Sequence, residues 1–167
     1  MFDRMSRAGA AALAAVAATT VLAAAPSGAT AIGAEGCTPG YWKNHTENWL
    51  ERATVEIPTT KLVTSAYADA SSRKNLVGVT FLQALQGGGG AGVDGAAVIL
   101  ARAATAAWLN AAHESLGYPW RRASTGVDGR PALVPTVNAA FRSGDRATML
   151  DLASRLDADN NLGCPLS

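Results

Sequence analysis

The chain has few of the residues from which reaction centres are built. Its 167 residues include two cysteines and two histidines. Cys37 and Cys164 have no CxxC spacing, which argues against a thiolate metal site. G-x-S-x-G and H-E-x-x-H are absent, so neither a serine-hydrolase elbow nor a zincin helix is present in sequence. Charge of either sign is scarce and balanced, 14 Lys and Arg against 13 Asp and Glu, leaving no basic excess to hold nucleic acid or anionic lipid. No strand-like alternation of any length appears, which points away from a sheet.

What is present begins with an export signal. Met1 to Arg7 carries Arg4 and Arg7 against Asp3, and an Ala-rich run follows from Ala8 to Ala25. Pro26, Ser27 and Gly28 then break any helix, and Ala29-Thr30-Ala31 fits the A-x-A cleavage pattern, with Ser27-Gly28-Ala29 as a second site. Residues 1–31 are therefore read as a signal peptide. The run has too little Leu, Ile and Phe for a stable anchor, so membrane contact is expected only through this segment before cleavage. The mature chain, 32–167, is long enough for one domain with one core. It loses Arg4, Arg7 and Asp3 and becomes formally neutral.

Secretion makes a Cys37–Cys164 disulfide the expected fate of the two thiols. Both stand in turn sequence, Gly36-Cys37-Thr38-Pro39-Gly40 and Gly163-Cys164-Pro165. The chain-entropy model gives a loop of this length about 4–5 kcal/mol, as an upper estimate.

Helical signals fill the rest. Thr38-Pro39-Gly40 reads as a turn, followed by a first helix over 43–53, on which His45 and Trp49 share a face. Pro58 interrupts, a short helix and a polar loop follow, and Thr80 caps a helix through "FLQALQ" that ends at Gly87 to Gly92. Asp94 is expected to cap the longest helix, from Gly95 to Leu116, with Val98, Ala101, Thr105, Trp108 and Ala112 as its buried stripe. Pro135 suits the first turn of the next helix, which ends near Ser143 with Gly144 as its C-terminal residue, and Asp145 caps a last one over 146–158. The expected fold is all-α, a single compact bundle of five or six helices closed by one disulfide.

Several motifs compete with plainer readings. Gly90-Ala91-Gly92-Val93-Asp94-Gly95 matches G-x-G-x-x-G, but no βαβ rhythm surrounds it, and a connection between helices is favoured. Asp157-Ala158-Asp159-Asn160-Asn161 resembles the start of a calcium loop, yet Leu162 stands where that loop needs glycine. It is read as a helix end, with Asn160 or Asn161 in a left-handed conformation. His45 and His113, with Glu47 and Glu114 near them in sequence, could form a general base or a two-His site if the fold joined them. A packing role is favoured for both, and no metal or cofactor is expected. Tyr41, Trp42, Trp49, Tyr118 and Trp120 could stack on sugars, although packing against each other and the disulfide is favoured. Lys43 is read as lying over a ring or in solvent.

Three stretches carry a resemblance. "CTPGYWKNH", "GGGGAGVDGAAVILARAATAAWLNAAHESLGYP" and "VNAAFRSGDRATMLDLASRLDADNNLGCPL" are similar to a family of exported bacterial and archaeal proteins. That family has a C-T-P-G-Y/F-W-K-N-H opening, L-N-A-A-H with a following Y-P, and a closing N-N-L-G-C-P-L. Trp120 departs from the pattern, where a smaller apolar residue follows Tyr118-Pro119. The resemblance implies export and architecture and transfers no catalytic residue. The leading expectation is thus a secreted or cell-surface structural or binding domain, with an envelope glycan or another surface protein as partner. The alternative is a small extracellular hydrolase or metal-dependent enzyme using His45 and His113.

Overall fold

A stretch of small residues dominates the centre of the fold. The computed structural model describes residues 33–52 and 54–166, so the expected signal peptide lies outside the described residues. Among these, six α-helices form: α1 (Pro39–Asn44), α2 (Val63–Ala66), α3 (Phe81–Gln86), α4 (Gly92–Ala112), α5 (Leu133–Ser143) and α6 (Arg146–Asn160). Short 3₁₀ turns at Thr46–Asn48, Ala68–Ser72, Lys74–Leu76 and Val127–Gly129 connect them. The chain is mostly helical but not purely so. Strands β1 (Leu50–Glu51) and β2 (Val55–Glu56) pair antiparallel, Leu50 opposite Glu56 and Glu51 opposite Val55. Two-residue strands are too short to leave an alternating pattern in sequence.

Helix α4 is the axis. Fourteen of its 21 residues are buried, so it is enclosed nearly all round rather than along one stripe. Ala101, Thr105, Trp108 and Ala112 are buried as expected, whereas Val98 is only partly covered. Ala103, Ala104, Ala106 and Ala107 are buried as well, and α6 makes its most extensive contact along this helix. Small side chains permit that approach. By length and a mean hydropathy of 1.3, α4 would also pass for a membrane span, but its burial marks it as a core helix.

The start of α4 corrects one boundary. It begins at Gly92 with Ala91 in the cap position, and Asp94 lies in the first turn, where a carboxylate complements the helix dipole. A Cβ on Gly95 would collide with the carbonyl of Gly90. The glycine-rich loop therefore folds back on the helix, and it follows helix α3 rather than a strand, which removes the dinucleotide reading. The helix ends at Ala112, earlier than Leu116, because His113 turns into extended backbone (φ −84°, ψ 107°).

Helix α1 corrects another. Thr38 is an N-cap, accepting from the Tyr41 amide, and Pro39 occupies the first turn. The helix stops at Asn44, since His45 leaves helical geometry (φ −125°, ψ 61°). No helix runs over 43–53, and His45 and Trp49 do not share a helical face. The remaining helices follow the sequence closely. Thr80 and Gln83 complete a capping box on α3. Gly144 ends α5 at φ 65°, and Asp145 caps α6 through the Thr148 amide. Helix α6 continues to Asn160, and Asn161 has φ −100°, so neither asparagine is left-handed. Gly163, at φ 121°, makes that turn instead.

Candidate functional site

The two ends of the described chain meet at the disulfide, with Cys37 bonded to Cys164. Gly36 pairs with Gly163 in a single antiparallel bridge, and its amide donates to the Gly163 carbonyl at 2.9 Å. A Cβ on Gly36 would strike the Asp159 carbonyl oxygen, so the chain passes here only as glycine.

Beneath this crossing lies a buried polar network centred on Asn110, which is fully enclosed on α4. Asn110 Oδ1 accepts from the Cys37 amide at 2.9 Å and from Trp42 Nε1 at 3.0 Å. Its Nδ2 donates to the Cys37 carbonyl and to Asn160 Oδ1, both at 2.9 Å. Asn160 Oδ1 also accepts from Tyr118 Oη at 2.8 Å, and Asn160 Nδ2 donates to the Ala103 carbonyl at 3.0 Å. Each amide thereby uses both its donor and its acceptor ends. Fully paired networks of this kind fix one arrangement of the elements around them. Burial, together with the charge of nearby Asp159, keeps the Tyr118 hydroxyl protonated well above the ordinary tyrosine range.

A charged clasp adjoins the network. Arg130 grips Asp159 with two parallel bonds of 2.9 Å from Nε and Nη2, and Trp120 Nε1 donates to Asp159 Oδ2 at 2.6 Å. The bond to Asp159 raises the Arg130 pKa above the usual guanidinium value. Asp157-Ala158-Asp159-Asn160-Asn161 thus places one carboxylate and one amide inward as fasteners. Near the C-terminus, Tyr41 Oη donates to the Leu166 carbonyl at 2.6 Å.

The aromatic candidates divide sharply. Trp42, Trp49, Tyr118 and Trp120 are at most 1% exposed, so their faces are covered by the protein itself. Tyr41 alone of the five is part-exposed, and it stacks on His45 with ring centroids 4.4 Å apart. The burial supports the packing reading over sugar stacking. Lys43 is exposed, and the cations over rings are others: Lys61 and Arg122 lie 5.0 and 4.7 Å from the Trp108 centroid, and Arg155 lies 5.6 Å from Trp120.

The histidines have different neighbours. His45 is half-exposed, with Nδ1 3.0 Å from Glu47 Oε1. His113 is 7% exposed and tilts against Trp42 at 6.3 Å. Its Nδ1 is buried without a partner, and burial lowers its pKa. Glu114 points outward toward Arg52 at 4.0 Å. Among the described residues no group of three or more His, Cys, Asp or Glu side chains is arranged to hold a metal. A cavity of about 480 Å³ opens at the C-terminal end of α4, lined by Asn110, Ala111, His113, Glu114, Leu116 and Arg121.

Comparison with known family models, curated proteins and solved structures finds no match. The residues that fasten the site were partly hidden from sequence reasoning. Asn110 was legible as the lone amide on an alanine-rich helix, beside the histidine of "LNAAH". Arg130 and Asp159, 29 positions apart, carry no spacing signal.

Proposed function

We propose that this protein is a secreted or cell-surface structural or binding domain whose opening and closing motifs act as a clamp. One observation carries the reading: the buried polar side chains in and beside those motifs are spent on the fold itself. Asn110, Asn160 and the Trp42 indole bond one another or the Cys37 backbone around the disulfide, and Asp159 is held by Arg130 and Trp120. A reaction centre needs groups free to meet a substrate. The family resemblance and the disulfide support an oxidising, extracellular setting. The partner proposed is an envelope glycan or another surface protein.

The hydrolase alternative needs one histidine oriented by an acid and placed beside a nucleophile. His45 has its acid in Glu47, but its described contacts include no nucleophile; His113 has no hydrogen bond from either nitrogen among the described residues. The test is a panel of envelope glycans and extracted surface proteins presented to the processed chain. Saturable binding that survives His45→Ala is expected. Turnover of an ester, peptide or glycosidic substrate that is abolished by His45→Ala or His113→Ala would overturn the reading.

A further inference from the structure

We infer that Cys164 is the exchange sulfur of the clamp. It stands on a hinged C-terminal strap and forms the mixed disulfide through which a partner disulfide, glutathione or a dithiol oxidoreductase in its oxidised form, closes the Cys37–Cys164 bond. The reverse exchange opens it. This goes beyond the clamp reading and stands whatever surface the domain binds. Two asymmetries between the joined ends carry it.

The sulfurs are unequally reachable. Cys37 is fully buried, whereas Cys164 is part-exposed and Leu162, Gly163 and Pro165 around it are exposed. Thiol–disulfide exchange needs a thiolate to touch the sulfur it attacks. With the strap docked, an incoming thiolate therefore meets Cys164 Sγ and expels Cys37 Sγ.

The ends are also unequally held. Cys37 is fastened through its own backbone: its amide donates to Asn110 Oδ1 and its carbonyl accepts from Asn110 Nδ2, both at 2.9 Å. The other members of that network, Trp42, Ala103, Tyr118 and Asn160, all precede the strap in the chain. Breaking the sulfur bond takes nothing from them, and a fully paired buried network keeps its arrangement. The strap, residues 162–166, is held more lightly. Among the described residues it has three hydrogen bonds: Leu162 amide to Asp159 carbonyl at 3.4 Å, Gly36 amide to Gly163 carbonyl at 2.9 Å, and Tyr41 Oη to Leu166 carbonyl at 2.6 Å. Leu166 rests part-buried on the core. Gly163 supplies the hinge, at φ 121° with no atom within 4 Å of where a Cβ would stand. Once the disulfide opens, the strap swings and Cys37 stays where Asn110 keeps it.

Closure then runs in two exchanges. The Cys164 thiolate attacks the partner's disulfide, forms the mixed disulfide and releases one partner sulfur as thiolate. The Cys37 thiolate attacks Cys164 Sγ and releases the second partner sulfur. Two electrons pass to the partner, and the two thiol protons go to solvent or to the released sulfurs.

Pulse alkylation tests this. The processed, folded chain is reduced with a phosphine, given a short pulse of limiting iodoacetamide, quenched and mapped by peptide mass. Cys164 is expected to be labelled about 10-fold faster than Cys37 or more, with the ratio collapsing toward one in denaturant. Far-UV circular dichroism of the reduced chain is expected to stay native. In Cys164→Ser the docked strap still covers Cys37, and adding Tyr41→Phe, which removes the bond to Leu166, is expected to speed Cys37 labelling by about 3- to 10-fold. Glutathione disulfide is expected to load Cys164 in Cys37→Ala about 10-fold faster than Cys37 in Cys164→Ser. The parent-chain ratio decides even where a substituted chain fails to fold. Equal labelling in native buffer, faster labelling of Cys37, loss of native circular dichroism on reduction, a Cys37 rate unmoved by Tyr41→Phe, or equal loading by glutathione disulfide would overturn the inference.

Discussion

Replacing Asn110 by leucine is the sharpest perturbation of the clamp. Three groups have Asn110 as their hydrogen-bond partner: the Cys37 amide, the Cys37 carbonyl and Trp42 Nε1. A fourth, Asn160 Oδ1, keeps the Tyr118 hydroxyl. Each buried group left unpaired costs about 1–3 kcal/mol, so three together, with some relaxation, predict a loss of about 4 kcal/mol. A domain of this size has only about 5–15 kcal/mol in total. Leucine refills the space, so Asn110→Ala should cost more, by a cavity contribution of about 1 kcal/mol or more. Trp42→Phe removes one donor and leaves Asn110 Oδ1 still bonded to Cys37, so the pair should couple in a double-mutant cycle by about 1 kcal/mol. The assay is urea unfolding with the disulfide intact, followed by far-UV circular dichroism, with the slope of the transition unchanged. If Asn110→Leu stays within about 1 kcal/mol of the parent, the network is not what holds the ends together.

Gly36→Ala should destabilise the chain by about 3 kcal/mol in the same assay, because its Cβ meets the rigid Asp159 carbonyl rather than a side chain that can move. Burial favours neutral His113, lowering its pKa from 6.5, so the folded chain binds fewer protons than the unfolded chain just below that value. Stability should be full above about pH 6.5 and fall as pH drops through the window beneath it, and His113→Gln should flatten that slope in pH-dependent unfolding. Glu51 is held below its usual carboxylate value chiefly by the hydrogen bond from Arg122, at 2.7 Å. Its contribution is present above the unfolded value and lost as pH falls through the depressed folded one, so Glu51→Gln should weaken the acid-side decline.

The sequence revealed the helices that carry their own punctuation. Thr80 with Gln83, Gly144 and Asp145 mark their ends through local bonds that residue type announces. The misplaced ends of α1 and α4 have another cause. His45 and His113 break their helices with no proline or glycine at the break, and packing decides them: His45 stacks on Tyr41, and His113 lies against Trp42. Cys37 and Cys164 were pairable because only two thiols exist. The Asn110–Asn160 bond joins residues 50 positions apart, and nothing local to either shows that α4 and α6 bring them together. The cavity beside His113 was equally hidden. It exists because α4 stops at Ala112, and Arg121 enters it from a loop whose course no helix periodicity reports.

The account depends on Cys37 and Cys164 being joined in the folded protein. Alkylation of native material without reductant, followed by proteolysis and mass mapping, reads this directly. The expected result is one cross-linked peptide pair containing both cysteines, with neither alkylated. Recovery of both as alkylated thiols from protein that retains its native circular dichroism would contradict it.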